Sequence, residues 1–572
     1  MSDRTRRRVY VGLGSSVHDP SIAFVGDDGE VLFAEAVERA AGTKRAWHMP
    51  PDDPMRVDRL LDRYAPRGTA VTIAHSWERR RWRGPLFRAG YLMFGERLSP
   101  LLRPTALGQM NAFDAAGLQL RYRLHERGDE GSAVERHFDH HSTHAAYAAM
   151  ASGWTHAACA VIDANGERSS ESFFAWRGGK LEPLGGTRRK AFGRNGSLGA
   201  FYAALTVACG FDPIRGEEWK VMGLAPYGDR DERLYQRLRA MMHVDGLRLR
   251  GDSYRVIDEL TAMRRTDPDP LAAADLARTG QIVFGEWLQD LLHELHLAYP
   301  SERLLLCGGC ALNSSFNGEV LERTPFRELF VPSAPADDGN AIGAARLALL
   351  EDDPHAPSPP APLSPFLGSA LEHAEIELTP SVTGVDAVAE RAALLLSESK
   401  IVAVAQGRAE FGPRALGNRS ILADPRDGAI KDRLNASVKR REGYRPFAPA
   451  VLHGHGDAWF ERYAFSPYME RTLPVRPEMR SKIPGVVHVD GTGRLQSVTA
   501  AMHPNLHRIL ARFFARTGVP VLLNTSFNVM GKPIVHSVED ALGVFFTSGI
   551  DALVIEDRLY EKPGVSTRPA SQ

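Results

Sequence analysis

The segment Arg8–Ala34 reads RVYVGLGSSVHDPSIAFVGDDGEVLFA, and its punctuation decides the fold. Arg8–Leu13 is an apolar run that stops at Gly14. Ser21–Val25 and Glu30–Ala34 are two more apolar runs, and Gly26-Asp27-Asp28-Gly29 between them has the composition of a hairpin turn. Three consecutive strands with a Gly-rich first turn predict an antiparallel opening to a mixed sheet. The glycines of Gly12-Leu13-Gly14 do not make a dinucleotide fingerprint, because the third Gly of that pattern is missing. No GxxxxGK[ST] loop occurs either.

Outward from this opening, two later segments have the same form, a strand closed by a polar or Gly-rich turn. They are Ala158–Asp163 before Ala-Asn-Gly and Arg303–Leu306 before Cys-Gly-Gly. Open α/β sheets place ligands at such strand ends. Thr143–Ser152 and Ser197–Cys209, rich in Ala and Leu, read as helices. The Pro-rich run Asp352–Pro365, DDPHAPSPPAPLSP, cannot continue a helix or a sheet interior. It divides the chain into a larger N-terminal part and a C-terminal part of ordinary domain size. The expected class is α/β.

The composition excludes several functions. At 572 residues the chain is too long for one core, and 43% hydrophobic with 24% charged residues describes a globular protein. A formal net charge of zero argues against a protein dominated by nucleic-acid binding. No apolar run is long enough to span a bilayer, and the basic start, broken at once by Gly, Ser, His and Asp, does not read as a signal peptide. Four cysteines make no disulfide framework, which leaves a reducing cytoplasm as the expected compartment. Cys307-Gly-Gly-Cys310 closes an apolar run and has no second Cys pair, so it reads as core rather than as a redox or zinc motif.

Two segments are rich in chemistry. In H137-F-D-H-H-S-T-H144, His140 and His144 are four residues apart and share one face of a helix, a spacing that suits a single metal ion. Asp163 and the pair Asp337-Asp338 are available to complete a mixed N/O set, which suits Fe, Mn or Zn. The segment G407-R-A-E-F-G-P-R-A-L-G-N-R-S-I-L-A-D-P-R426 places four Arg among Gly, Pro and Asn, and Lys439, Arg440, Arg441 and Arg445 follow. Guanidinium forks fit phosphate oxygens, Gly admits close backbone approach, and the interleaved Pro and Phe favour a built anion pocket over a solvated face. Leu522–Asn528 ends an apolar strand in Asn, Thr, Ser and Asn, short-range partners for a phosphate or simply a turn. The Arg79–Arg83 cluster, RRRWR, reads as a surface element bordering an acceptor pocket.

These pieces, taken in order, resemble the carbamoyltransferase family that includes the nodulation and antibiotic-tailoring O-carbamoyltransferases. The match runs through Gly14-Ser-Ser-Val-His18-Asp19, D139-H-H-S-T-H144-A-A, V161-I-D-A-N-G-E167, S197-L-G-A-F-Y202 and G216-E-E-W-K220-V-M-G-L-A-P-Y-G. It continues through L306-C-G-G-C-A-L-N313, A336-D-D-G-N-A-I-G-A-A345, E410-F-G-P-R-A-L-G-N-R-S420, V438-K-R-R-E-G-Y-R-P-F-A-P449, H488-V-D-G-T-G-R-L-Q496 and N524-T-S-F-N528. Each motif alone is weak, and the ordered set is specific.

The resemblance implies an actin-like ATPase (ribonuclease H-like) N-terminal domain over 1–351 and a Pro-rich linker over 352–368. It implies an α/β threonylcarbamoyl-adenylate-synthase-like domain over 369–572. The implied reaction joins the carbamoyl group of carbamoyl phosphate to AMP from ATP in the C-terminal domain. Carbamoyl-adenylate then delivers it, with metal assistance, to a hydroxyl of a small-molecule natural product in the N-terminal domain. The implied metal ligands are His140, His144, Asp163 and Asp337, with Asp338 as the fallback. Fe2+ is the metal implied by resemblance, Mn2+ and Zn2+ are alternatives, and Mg2+ accompanies ATP. Gly308, Gly309 and Asn313 would meet nucleotide in the N-terminal domain. Arg414, Lys439, Arg445, Asn524 and Ser526 would hold carbamoyl phosphate and ATP in the C-terminal one. His18 would be the base for the acceptor, with Asp19 beside it. The expected partners are carbamoyl phosphate and the acceptor, with no nucleic acid and no membrane, and a homodimer is a candidate assembly. The competing reading is a tRNA threonylcarbamoyl-adenosine-type enzyme with the same two domain types, disfavoured by the neutral charge. Three positions depart from the family pattern: Cys310 replaces Val, Lys532 replaces Glu, and the stretch with Lys44 and Arg45 follows the basic pattern only loosely.

Overall fold

A computed structural model of the chain describes residues 8–78, 108–109, 112–129, 133–188, 196–371 and 378–562. The Arg79–Arg83 cluster, with most of the region Trp77–Met110 around it, lies outside the described residues. Two compact units are present. The first is Met1–Gly368 with Phe411–Pro413 and Glu470–Thr472, and the second is the remainder.

The opening segment forms the three strands its turns require: β1 (Arg8–Gly14), β2 (Ser21–Gly26) and β3 (Val31–Ala36). β1–β2 and β2–β3 pair antiparallel, while β4 (Ala70–His75) and β5 (Val134–His137) extend the sheet in parallel from β1. The order is β3-β2-β1-β4-β5. A second sheet repeats it with β6 (His156–Ile162), β7 (Ser169–Arg177), β8 (Lys180–Arg188), β11 (Arg303–Cys307) and β12 (Glu328–Phe330). A small hairpin, β9 (Met242–Val244) and β10 (Leu249–Gly251), stands apart from it. β6–β7–β8 are antiparallel, and β11 and β12 continue in parallel from β6. Two sheets of identical order and direction are the duplicated ribonuclease H-like halves of an actin-like domain, as the sequence led one to expect.

The helices His140–Ser152 and Asn340–Asp352 pack closely enough to demand glycine. A Cβ on Gly343 would lie 1.9 Å from the Thr143 carbonyl oxygen, and one on Gly12 would lie 1.8 Å from that of Ala341. Gly12 therefore serves helix-on-strand packing. The helix His140–Ser152 begins where Asp139 accepts the Ser142 amide at 3.0 Å. Its Ala-rich body lets it sit in the core, buried along nearly its whole length.

The Pro-rich run is anchored to the first unit's core through a few buried side chains, Ala356 and Leu363 among them, while most of it is exposed. Leu363 N donates to Ala151 O and Ala34 N to Leu367 O, both at 2.9 Å. Arg346 donates to the carbonyls of Ala356 and Pro357, and Ala356, Leu363 and Leu367 are buried. Proline suits such a segment because it forfeits a donor that this packing does not need.

The second unit is built on a nine-stranded mixed sheet of order β13-β21-β20-β14-β15-β19-β16-β18-β17. In chain order the strands are β13 (Val382–Thr383), β14 (Val402–Ala405), β15 (Arg419–Ala423), β16 (Ala448–Leu452) and β17 (Arg471–Pro474). They are followed by β18 (Thr492–Val498), β19 (Val521–Ser526), β20 (Ala552–Ile555) and β21 (Arg558–Glu561). Among the described residues, no helix is long and apolar enough to cross a membrane.

Candidate functional site

Parallel pairing of β6 with β11 sets the stage in the first unit. It brings Asp163, just past the end of β6, beside the Cys307-Gly308-Gly309 turn that closes β11. Gly308 is required here: its φ is +89°, and a Cβ would lie 2.4 Å from the Ile162 carbonyl oxygen. A Cβ on Gly309 would already lie 3.2 Å from Asp163 Oδ1. The helix His140–Ser152 supplies His140 and His144 from one face, and the turn Asp337–Gly339 supplies Asp337.

These four side chains converge. His140 Nε2 is 3.4 Å from both Asp163 Oδ2 and Asp337 Oδ1, and His144 Nε2 is 3.6 and 3.5 Å from the same oxygens. All four ligand atoms lie within 4.8 Å of one another. Donors about 2.1 Å from a central tetrahedral cation stand about 3.4 Å apart, so the quartet fits a metal with little movement. His140 Nε2 is buried and makes no hydrogen bond of its own. Burial disfavours a charged His140 imidazole, yet the carboxylates of Asp337 and Asp163 outweigh it and raise its pKa well above the ordinary value. Burial likewise works against the two carboxylates, and the imidazoles hold both below the usual range. That field is the one a cation would occupy. Asp337, not Asp338, stands at the imidazoles. Asp338 is pushed up to about 8 by burial and by the negative charges of Asp19, Glu38 and Asp337.

Two neighbours escaped the sequence reading. The Asn340 amide Nδ2 lies 3.3 Å from His140 Nδ1 and 3.0 Å from His144 Nε2. Glu167 accepts the His140 backbone amide at 3.0 Å. Both lie in motifs already singled out, A336-D-D-G-N and D-A-N-G-E167, but no spacing rule joins them to a histidine helix so far away in sequence. A second cluster, His75, Glu135 and His137, also gathers ligand atoms. Its imidazoles are stacked at 4.4 Å with only 9° between planes, so no cation can lie in the plane of both rings.

His18 and Asp19 form a pair, with His18 Nδ1 2.9 Å from Asp19 Oδ2. Asn313 caps the helix Ser314–Arg323 by accepting the Phe316 amide, and its own amide exchanges hydrogen bonds with Gln281. Cys307 and Cys310 are free thiols that burial pushes well up.

In the second unit the Arg-rich loop sorts its own charges. Glu410 accepts the backbone amides of Leu416, Asn418 and Arg419 at 2.8–3.1 Å. The Arg419 guanidinium, fully buried, donates to the carbonyls of Gln406, Gly407 and Asn418. Arg426 chelates Asp424. Arg419 and Arg426 thus shape the loop, and Arg414 is left facing other cations. Arg494 lies in the field of Arg414, Arg441 and Arg445 and, after burial itself, owes its strongly lowered pKa to them. Burial alone lowers Arg414 to about 10. Among the described residues neither Arg414 nor Arg494 has a carboxylate or hydrogen-bond partner. Arg441 leans on Phe447 and donates to Asn435 Oδ1 at 2.8 Å. Arg494 was not singled out from sequence. Its strand position in H488-V-D-G-T-G-R494 carries no local mark of the cluster it joins.

The other expected residues of this unit are nearby in function but tied down. Lys439 Nζ donates to Ser526 O, to Asn528 O at 3.2 Å and to Asn528 Oδ1 at 2.9 Å. Asn524 Nδ2 donates to Gln496 Oε1 at 2.7 Å, and its Oδ1 is buried without a partner. Lys532 supplies a backbone carbonyl to Asn528.

The profile described as "Carbamoyltransferase N-terminus" matches residues 129–346, and "Carbamoyltransferase C-terminus" matches residues 393–562. Nodulation protein NolNO of Sinorhizobium fredii is 37% identical over 74% of this chain and 63% of its own length. Nodulation protein NolO of Bradyrhizobium diazoefficiens is 36% identical over 76% of this chain and 79% of its own length. Among solved structures, HypF of T. kodakarensis aligns over 61% of this chain and 48% of its own, with 12% identity and a TM-score of 0.32. At that score the fold assignment stands on the strand order alone. The two profiles together cover more than half of the sequence and fall on the units that carry the His–Asp quartet and the arginine cluster: the chain belongs to the carbamoyltransferase family of enzymes.

Proposed function

We propose that the protein is an ATP-dependent O-carbamoyltransferase acting on a hydroxyl of a small-molecule natural product, with the work divided between two sites. The observation that carries this reading is the pairing of opposite electrostatic designs in one chain. A His–Asp quartet suits a cation, and the Arg494 guanidinium in the field of Arg414, Arg441 and Arg445 suits a polyanion.

In the second unit, carbamoyl phosphate, ATP and one water give carbamoyl-adenylate, pyrophosphate and phosphate. Arg414, Arg441, Arg445 and Arg494 gather the phosphates, whose charge relieves the repulsion among them. Glu410 and Arg419 hold the loop that presents Arg414, so its placement costs little on binding. Lys439 and Ser526 line the same region, and the free Asn524 Oδ1 is an acceptor for the carbamoyl N–H.

In the first unit, His140, His144, Asp163 and Asp337 would hold the metal. A divalent cation bound there supplies Lewis acidity toward the carbamoyl carbonyl, which its own nitrogen makes a poor electrophile. An alcohol is a weak nucleophile at neutral pH, and His18 takes its proton through Nε2 while Asp19 retains the proton on Nδ1. Gly308, Gly309 and Asn313 border the nucleotide end of the adenylate. The acceptor oxygen then forms a bond to the carbamoyl carbon, and AMP leaves with the electron pair of the bond that breaks.

The test is direct. With carbamoyl phosphate, ATP and candidate hydroxyl acceptors, the protein should release pyrophosphate and add one carbamoyl mass to an acceptor. His18→Gln should suppress the mass gain and spare pyrophosphate release. Nucleotide binding without pyrophosphate release in the presence of carbamoyl phosphate would overturn the reading.

A further inference from the structure

We infer that Arg45 is the positioning residue for the His18–Asp19 pair. The inference rests on the reading of His18 as the base and adds the group that sets its geometry.

Asp19 Oδ2 is shared. It lies 2.9 Å from His18 Nδ1, 3.2 Å from Arg45 Nε and 3.2 Å from Arg45 Nη2. Arg45 is also tied on its other side, where Nη1 donates to the Pro213 carbonyl at 2.9 Å. Its backbone amide donates to Glu38 Oε2 at 2.9 Å. The guanidinium stands over the Trp47 ring at 5.4 Å, and that ring meets the His18 imidazole edge-on at 5.3 Å and donates from Nε1 to the Ile214 carbonyl. Three chain segments, 17–19, 38–47 and 213–214, therefore meet at one side chain.

The backbone points the same way. Asp19 and Arg45 both adopt left-handed φ, 55° and 61°, which is rare for residues with a Cβ. The Asp19 amide donates to the Arg45 carbonyl at 2.8 Å, so the two strained residues hold each other. Such strain persists only where the surroundings fix it, and here they fix a carboxylate against a histidine. The charged groups facing Asp19 are His18, Arg45, Asp337, Asp338 and Glu218, and Glu218 and Asp337 also face Arg45. Arg45 is thus the guanidinium that answers Asp19, contacting Oδ2 through both Nε and Nη2. With Oδ2 held by Arg45, the carboxylate accepts the His18 Nδ1–H in one orientation, and Nε2 is left bare to take a proton. A lysine in its place has one point of attachment and cannot reach both Asp19 and Pro213 with a planar fork.

The tautomer of His18 reads this out without any acceptor. Full-length protein labelled with 15N and 13C histidine is compared for the native chain, Arg45→Lys, Arg45→Gln and Asp19→Asn, with His18→Gln identifying the His18 signals. The native His18 is expected as the Nδ1–H tautomer. Arg45→Gln should shift it to a mixture with the Nε2–H form, much as Asp19→Asn does, and Arg45→Lys should give an intermediate shift, with the other histidine signals unmoved. A His18 signal unchanged in both Arg45 variants overturns the inference. Loss of all histidine dispersion in Arg45→Gln transfers the decision to Arg45→Lys, where an unchanged signal also overturns it. If His18→Gln leaves carbamoyl transfer intact while the Arg45 variants shift the tautomer, the base reading falls and the positioning stands.

Discussion

The His–Asp quartet and the arginine cluster solve opposite electrostatic problems. In the quartet, two imidazoles face two carboxylates at 3.4–3.6 Å, so each charge is answered within the site. In the cluster, Arg414, Arg441 and Arg445 all bear on Arg494. Arg445 pairs with Glu442 at 3.2 Å and Arg441 donates to Asn435, while Arg414 and Arg494 have no carboxylate or hydrogen-bond partner among the described residues. The first suits a cation, and the second suits an anion. The four guanidiniums are half-buried, so solvent screens them only in part and an anion among them would meet several forks at once.

The largest effects should divide the two regions cleanly. Arg414→Ala is expected to lower pyrophosphate release by about 10²–10³-fold, the scale for removing one preorganised donor to a developing charge, and carbamoyl transfer should fall with it. His140→Ala should lower transfer by a similar factor and leave pyrophosphate release within a few-fold of native. Equal loss of pyrophosphate release in both variants breaks the division of labour.

Packing supplies the next test. Gly343→Ala places a methyl group 1.9 Å from the Thr143 carbonyl and must push apart the helix that carries His140 and the helix that follows Asp337. It should cost about 3 kcal/mol and weaken metal binding measured by equilibrium dialysis, with pyrophosphate release spared. Retained metal affinity would show that the quartet does not depend on that contact.

Pyrophosphate alone should stabilise the native chain, by about 2.7 kcal/mol at a hundredfold excess over Kd. Thermal unfolding should show the shift in the native protein and lose most of it in Arg494→Met. Because that variant removes a repelled charge, its own melting temperature without ligand should equal or exceed the native one.

The smallest effect is a pH dependence. Burial, ahead of the nearby cations Arg494 and Lys431, lowers His488 to about 4 from an ordinary 6.5. The unfolded chain therefore binds this proton first as pH falls. The stability from a neutral His488 is whole above about pH 6.5 and is lost as pH drops toward 4. His488→Gln should flatten stability over that window in urea titrations, and an unaltered slope would separate His488 from the cluster.

Local signals were enough for much of the fold. The turn at Gly26–Gly29 fixed the hairpin of β2 and β3, the strand ends at Asp163 and Cys307 were readable, and His140 and His144 declared themselves by helical spacing. Other positions were misleading at short range. Arg419 and Arg426 looked like anion binders and instead bond to backbone carbonyls and to Asp424. Gly12 fits no nucleotide fingerprint, and only the structure shows that it admits the Asn340–Asp352 helix. The Pro-rich run is a surface segment pinned to the first unit by Ala356 and Leu363.

What the sequence determined by itself was the three opening strands, two later strand ends, the two-histidine face and, through the ordered motifs, the family. These depend on period, turn chemistry and residue order, which are local. Only the tertiary structure decided that Asp337 rather than Asp338 meets the imidazoles, that Asn340 and Glu167 stand behind them, that Arg45 clamps Asp19, and that Arg494 completes the cluster. Each of those is a contact between segments far apart in the chain, set by parallel strand pairing and helix packing. Charge and burial there depend on neighbours that spacing does not name.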